Sequence, residues 1–195
     1  YLRDMRPLFL IGSLLIAVAT MAQGGTRQER KMRALMAKGK AYPAIRIAND
    51  MLGRDPHPEF YALRAEALNS IAEFGKAELD ARKAIRAFPD STAGLVQLAL
   101  AEQGLGQLDS AAIHLQEVKR RDPSVDVCYH LALVQQVRGD IPDALFQVER
   151  AIAMSKTDTI GTGRLHRVKG ELLAMMGDTT VARNELNRAV ALSPE

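Results

Sequence analysis

Apolar residues recur through most of this chain at the spacing of an amphipathic helix, and turn-forming residues interrupt them at regular intervals. The stretch from Leu105 to Pro123, LGQLDSAAIHLQEVKRRDP, contains one cycle: a turn, a helical segment and a proline that stops it. Alanine, leucine and methionine fill the apolar positions, and aromatic residues make up only 5% of the chain. This composition suits close helix packing better than a sheet. The pattern therefore predicts an all-α protein.

The cycle occurs five times when the chain is aligned on one small residue. Five alanines, 33, 34, 33 and 38 residues apart, mark this position: Ala44, Ala77, Ala111, Ala144 and Ala182. The residue five places earlier is Gly39, Ala72, Gly106, Gly139 or Gly177. The residue twelve places later is Pro56, Pro89, Pro123, Lys156 or Pro194. A period of this length is typical of stacked helix–turn–helix arrays.

Each marker has a physical role in such an array. The alanine allows two helices to cross closely, because a larger side chain would push their backbones apart. The glycine permits the turn between the helices, and the proline ends the second helix. Four extra residues follow Lys156, so we expect a longer loop or an added helical turn there. Ser91 is expected to cap the first helix of the third unit.

These markers resemble those of the tetratricopeptide repeat (TPR) family, over roughly Gln28 to Glu195. The resemblance implies a TPR solenoid of about five repeats, at 26–56, 57–90, 91–124, 125–157 and 162–195, preceded by an N-terminal hydrophobic helix. Family packing positions fall on apolar or small residues, among them Leu98, Leu115, Leu131, Gly170, Leu173, Leu186 and Ala189.

The N-terminal segment, residues 1–25, differs in kind from the repeats. Pro7 to Ala22 carries no charge over sixteen residues, and Arg3 and Arg6 precede it. A membrane-spanning helix needs about 20 apolar residues, so this stretch is short for a span. A basic start, an apolar middle and small residues before Gln23 also fit a secretory signal. The segment is therefore interpreted as a single transmembrane anchor, with a cleaved signal and a periplasmic or secreted product as the alternative.

Charge is concentrated next to this segment. Residues 1–40 carry eight Lys or Arg against two Asp or Glu, while the whole chain has a net charge of only +3. The membrane-proximal basic residues are Arg27, Arg30, Lys31, Arg33, Lys38 and Lys40. They suit either anionic lipid headgroups or a solvated helix face. They do not determine which side of the membrane the repeats occupy. Nucleic-acid binding is not expected, because the remaining array is mildly acidic and has no aromatic interleaving.

Catalytic signatures are lacking in the sequence. The four histidines, His57, His114, His130 and His166, share no spacing. Cys128 with His130 supplies too few ligands for a metal site and is interpreted as a packing residue. Acidic pairs such as Glu66 and Glu73 are read as solvated faces. We therefore expect neither an enzyme nor a cofactor or metal.

The TPR resemblance instead implies a binding surface along the first helix of each unit. The residues expected to line its concave groove are Glu66, Asn69, Leu100, Gln103, Tyr129, Leu133, Gln136 and Arg167. Chaperone-tail binders of the family use asparagines where this chain has Glu66 and Leu100. That departure favours an apolar or amphipathic protein segment, anchored by Leu100, Tyr129 and Leu133, over a C-terminal carboxylate.

These features predict a non-catalytic scaffold or adaptor that binds protein partners, as an assembly or accessory subunit of a membrane-associated complex. The membrane contact is expected through residues 7–25. The alternatives are a secreted or periplasmic binding module, released by cleavage near Gln23, and a regulatory subunit of an enzyme.

Overall fold

The chain forms a succession of paired antiparallel helices in a computed structural model that describes residues 25–54, 56–155 and 160–192. The described residues contain ten helices and no strand. The helices are α1 (Arg27–Met36), α2 (Ala41–Arg54), α3 (Pro58–Ser70), α4 (Phe74–Ala87), α5 (Thr92–Gly104), α6 (Leu108–Arg121), α7 (Val125–Arg138), α8 (Ile141–Met154), α9 (Ile160–Met175) and α10 (Thr179–Leu192). Successive pairs make five units, numbered 1 to 5 below, each with a first and a second helix.

The five marker alanines lie where the sequence places them, on the second helix of each unit. Ala44, Ala77, Ala111 and Ala144 have no exposed surface, and Ala182 is 2% exposed. Each second helix packs against the first helix of its own unit, and α2, α4, α6 and α8 also pack against the first helix of the next unit. A methyl group is the largest side chain that such a close crossing admits. The predicted role of the alanines is confirmed.

The turns between paired helices share one backbone conformation. Gly39, Gly106, Gly139 and Gly177 have φ between +66° and +90°, in the left-handed region. Ala72 adopts φ +61° at the corresponding position and is the only described residue other than glycine with positive φ. A β-carbon in this region costs roughly 1 kcal/mol. The turn geometry therefore persists in unit 2 even where the favoured residue is missing.

The helix ends agree with the prolines in the described units. α2, α4 and α6 each end two residues before a proline, Pro56, Pro89 and Pro123 respectively, while Pro194 lies outside the described residues. Ser91 precedes α5 but its hydroxyl makes no capping hydrogen bond. Ser91 therefore occupies the predicted N-cap position without the expected hydrogen bond. Ser124, in contrast, caps α7 by accepting from the backbone N–H of Val127. α9 has 16 residues against 13 in α3 and α5, which fits the added helical turn expected after Lys156.

The apolar core is divided among the joints between units. One cluster combines Met32 and Ala44 of unit 1 with Phe60 and Leu63 of unit 2. Another combines Cys128 and Val148 of unit 4 with Leu165 and Leu172 of unit 5. Similar clusters join units 2 with 3 and 3 with 4. Each unit is therefore stabilised mainly by its neighbours, as in other linear repeat folds.

The last unit departs from the predicted packing. Gly170 is buried, and a β-carbon there would lie 2.7 Å from Cγ of Leu186 and 3.0 Å from the carbonyl oxygen of Ala182. Leu186, predicted to be packed, is nevertheless 37% exposed, and Leu173 is half-buried. In unit 3 the corresponding Leu115 has no exposed surface, because α7 of the following unit covers it.

The predicted N-terminal hydrophobic helix falls on residues 1–24, which lie outside the described residues. Within the ten described helices, no segment combines the length and the apolar character that crossing a bilayer requires.

Candidate functional site

The first helices of units 1 to 4 form one continuous face. α3 contacts α1 on one side and α5 on the other, and α5 also contacts α7. No two second helices make comparable contact in the part of the chain that the structure describes. Because successive first helices approach each other more closely, they lie on the inside of the curve. We call their exposed face the inner surface.

Two predicted groove residues connect neighbouring units across the inner surface. The Nδ2 group of Asn69 donates to the carbonyl oxygen of Gln97 at 2.9 Å and to its Oε1 at 3.1 Å, linking α3 to α5. The Nε2 group of Gln136 lies 3.9 Å from Sδ of Met175, linking α7 to α9. These amides therefore help set the spacing of the first helices as well as lining the surface.

The predicted apolar anchors lie near the middle of the inner surface. Leu100, Tyr129 and Leu133 are all half-buried. Tyr129 and Leu133 pack against the core cluster between units 4 and 5. The Tyr129 ring makes an edge contact with the His130 ring, with 5.3 Å between the ring centroids. Burial lowers the pKa of His130, with Asp126 acting in the opposite direction. The lowered pKa favours the neutral imidazole, so burial disfavours a positive charge on His130.

Glu66 gives the inner surface of unit 2 a half-buried carboxyl group. Burial raises its pKa above the usual value, and the positive charge of Arg33 on α1 acts in the opposite direction. The interpretation of Glu66 as part of a solvated face is therefore wrong. Glu73, its predicted counterpart, is exposed and forms an ion pair with Lys76 at 3.0 Å. Gln103 is half-buried on α5 and Arg167 is exposed on α9.

The predicted membrane-proximal basic residues lie together at the start of the array. All six are exposed, on α1 or on the turn that follows it: Arg27, Arg30, Lys31, Arg33, Lys38 and Lys40. Arg33 also influences Glu66, so the basic cluster extends to the edge of the inner surface.

Polar bridges at one register connect the helices on the other side of the units, and sequence reasoning missed them. On the second helices, the position three residues after the marker alanine carries Asp80, His114, Gln147 or Glu185 in units 2 to 5. Arg64 of α3 donates to both carboxylate oxygens of Asp80, at 2.5 and 2.8 Å. Nδ1 of His114 donates to Glu102 of α5 at 2.7 Å. Alignment on the alanines would have shown the recurrent polar position.

Unit 5 has the most extensive of these bridges. Glu185 accepts from Nδ1 of His166 at 2.6 Å and pairs with Lys169 at 3.3 Å, while Lys169 also reaches Glu149 of α8 at 3.2 Å. Burial opposes ionisation of Glu185, but the hydrogen bonds from His166 and Lys169 outweigh it and lower its pKa. Burial likewise opposes the charge of Lys169, yet its two carboxylate partners raise its pKa. These pairs connect helices within and between units.

The burial of these polar bridges indicates a structural role. His166 is only 3% exposed and Glu102 only 1%, so neither group is accessible to a substrate. Cys128 is fully buried and burial raises the pKa of its thiol, which makes it a poor nucleophile. Across the described residues, no three His, Cys, Asp or Glu side chains converge as a metal site would require.

Comparison with solved structures identifies the architecture. A thermophilic TPR protein from Thermus thermophilus superposes with a TM-score of 0.73 at 21% identity, over 86% of this chain and 91% of that one. A tetratricopeptide repeat protein from Parabacteroides merdae gives 0.70 at 17% identity, over 97% and 75%.

A third similar structure is MamA from Desulfovibrio magneticus, with a TM-score of 0.67 at 15% identity over 87% of this chain and 97% of that one. No protein-family model matches the sequence, and neither does any curated protein. At these identities the likeness concerns the fold. The described chain is a TPR-like helical-repeat solenoid.

Proposed function

We propose that this protein is a non-catalytic scaffold that binds segments of partner proteins on its inner surface. The observation that supports this most strongly is the continuity of that surface across α3, α5 and α7, with Leu100, Tyr129 and Leu133 half-buried at its middle. Such side chains keep part of their apolar area in water, and a partner that covers them recovers the free energy of that exposure.

The electrostatics suggest what kind of segment would fit. The middle of the surface is neutral, whereas Glu66 lies at its unit 2 end and Arg167 at its unit 5 end. An amphipathic segment with apolar residues in its centre, a basic residue towards unit 2 and an acidic residue towards unit 5 would match this arrangement. Ionised Glu66 is disfavoured by burial, so a cationic group from the partner would relieve that cost.

We propose further that the scaffold acts at a membrane, as an assembly or accessory subunit of a larger complex. The uncharged stretch from Pro7 to Ala22 and the six exposed basic residues of 27–40 support this proposal. Insertion of the apolar stretch and attraction of the basic residues to anionic headgroups would both favour membrane binding. Each basic residue near such a surface contributes about 1 kcal/mol.

Site-specific photocrosslinking tests the binding surface. A benzophenone amino acid replaces Gln103 on the inner surface in one variant and Ile113, exposed on α6, in the matched control. We expect a covalent adduct with a discrete partner at position 103, its loss when Leu100→Arg is added, and no such adduct at 113. Equal adducts at both positions, or an adduct that survives Leu100→Arg, would refute binding on the inner surface.

Membrane flotation tests the second part of the proposal. The chain is expected to float with vesicles containing anionic lipid, and to do so less when residues 7–22 are deleted. Intact-mass measurement of the protein recovered from cells separates a retained anchor from a cleaved signal, because cleavage would leave a new terminus near Gln23. Flotation that is unchanged by the deletion would contradict a role for this segment.

A further inference from the structure

A second concave feature lies on the opposite side of the array, between units 1 and 2. It is an open groove of about 460 Å³, bounded by α2 and α4 and floored by α3. Tyr42 and Ile45 belong to one wall, Leu79 and Lys83 to the other, and Arg64 and Leu68 to the floor. We call it the outer groove.

The walls of the outer groove expose large apolar side chains. Tyr42 is 73% exposed and Leu79 is 62% exposed, and neither is needed to cover the core between units 1 and 2. At the next joint the Phe74 ring packs directly on Gly104 of α5. The position of Phe74 is taken in unit 1 by Ala41, whose small side chain offers no comparable ring. The two joints therefore differ at this position, because the first turn of α4 carries an aromatic ring and the first turn of α2 carries only a methyl group.

Some charged side chains around the outer groove are held in ion pairs with other described residues, and one lysine is not. Asp80 is engaged by Arg64 through two hydrogen bonds, and Glu73 pairs with Lys76. Lys83 forms no ion pair with any described carboxylate, and its ammonium lies 5.2 Å from the centre of the Tyr61 ring. The ion pair of Lys76 is exposed and therefore weak, so it exchanges partners easily. The wall formed by α4 thus offers cations to an incoming group.

We propose that the outer groove is a second docking site, whose partner is an amphipathic helix with acidic side chains beside its apolar face. The apolar face of that helix covers Tyr42, Ile45 and Leu79, and a carboxylate pairs with Lys83. Helices that dock in grooves present anchors at i, i+3, i+4 and i+7, a spacing that suits the two helical walls. This surface is separate from the inner surface, so the array can hold two partners at once.

Paired peptide libraries test the proposed chemistry. Two yeast-displayed libraries of helical peptides, each about 16 residues and therefore over four turns long, share a randomised apolar face. They differ only in the flanking positions, which are Asp or Glu in one library and Lys or Arg in the other. The labelled full chain is the bait. We expect the acidic library to yield binders and the basic library to yield none that depend on the outer groove.

Matched variants locate the binding of the selected peptides. Leu79→Asp and Lys83→Glu should each weaken it at least tenfold. Ile113→Asp, at the register of Leu79 in unit 3 and 64% exposed, should leave it unchanged. All three positions are exposed, and circular dichroism with thermal melting verifies that the variants fold.

Three results would overturn the proposal. The first is enrichment of basic peptides that lose binding in Leu79→Asp. The second is a set of acidic peptides that respond to Leu100→Arg on the inner surface but not to Leu79→Asp. The third is sedimentation showing that the chain self-associates and that Leu79→Asp makes it monomeric, because the occupant would then be a second copy.

Discussion

Units 3 and 5 place the same residue type at the same register in different surroundings. Leu115 of α6 and Leu186 of α10 each follow the marker alanine by four residues. Leu115 has no exposed surface, whereas Leu186 is 37% exposed. The difference comes from the following unit, because α7 packs on α6 and no described helix follows α10. Burial in this array is therefore a property of a joint between units. The variants described next compare the stability that joints, polar bridges and turns contribute.

The largest contrast is expected from truncating the two leucines. Leu115→Ala removes side-chain atoms from a closed joint and should cost about 2–5 kcal/mol of unfolding free energy. Leu186→Ala should cost about 1 kcal/mol, since much of its area already faces water. Urea denaturation of both variants gives the comparison. Equal costs would show that burial within a single unit determines stability.

Removing the carboxylate of Glu185 tests the polar bridge of unit 5. Glu185→Gln weakens the hydrogen bond with His166 and the ion pair with Lys169, and should cost about 1–3 kcal/mol at pH 7. The pKa of Glu185 is lowered in the folded protein, so its contribution is complete above the unfolded pKa of about 4.3 and is lost as the pH falls below that value. The wild type and the variant should therefore converge in stability as the pH falls through the lowered folded pKa, which denaturation across pH measures. A constant difference down to low pH would contradict this account.

The turn of unit 2 offers a gain in stability. Ala72→Gly removes the cost of a β-carbon at φ +61° and should stabilise the protein by roughly 1 kcal/mol. Gly139→Ala, at φ +88° in unit 4, is the reverse control and should destabilise by a similar or larger amount. Thermal unfolding of both variants provides the measurement. A loss of stability in Ala72→Gly would show that the alanine contributes more than its backbone strain costs.

The smallest effect is expected at Glu66 on the inner surface. Burial raises its pKa, so the ionised carboxylate is disfavoured in the folded protein and Glu66→Gln should stabilise it by less than about 1 kcal/mol at pH 7. The gain is complete above the folded pKa and disappears as the pH falls through the unfolded value of about 4.3. Glu73→Gln, on an exposed residue, is the control. Destabilisation by Glu66→Gln at neutral pH would mean that attraction to Arg33 exceeds the cost of burial.

The recurrent residues were informative because their roles are local. Ala77 and Ala111 lie at helix crossings, and Gly106 and Gly139 adopt the backbone angles that a tight turn needs. Ser91 occupies the predicted N-cap position, but a suitable residue type does not guarantee a hydrogen bond to the helix end. The recurrence marks the polar position of Glu185, but no local pattern marks its partner His166, 19 positions earlier.

The candidate binding surfaces were predictable to different degrees. Asn69 and Gln136 could be placed on the first helices from register, but their links to Gln97 and Met175 required the relative positions of neighbouring units. The outer groove was not foreseen, since it depends on α2 and α4 lying apart over α3. Tyr42 and Leu79, which form its walls, stand 37 residues apart in the sequence.

By itself, the sequence determined the helices, the turns between them and the order of the five units, because short-range backbone preferences and small residues at fixed intervals govern these features. Only the tertiary structure decided which leucine is covered, which charges meet and where the surface becomes concave. Those properties arise from contacts between units, and residues of the same type and register, such as Leu115 and Leu186, acquire different environments from different neighbours.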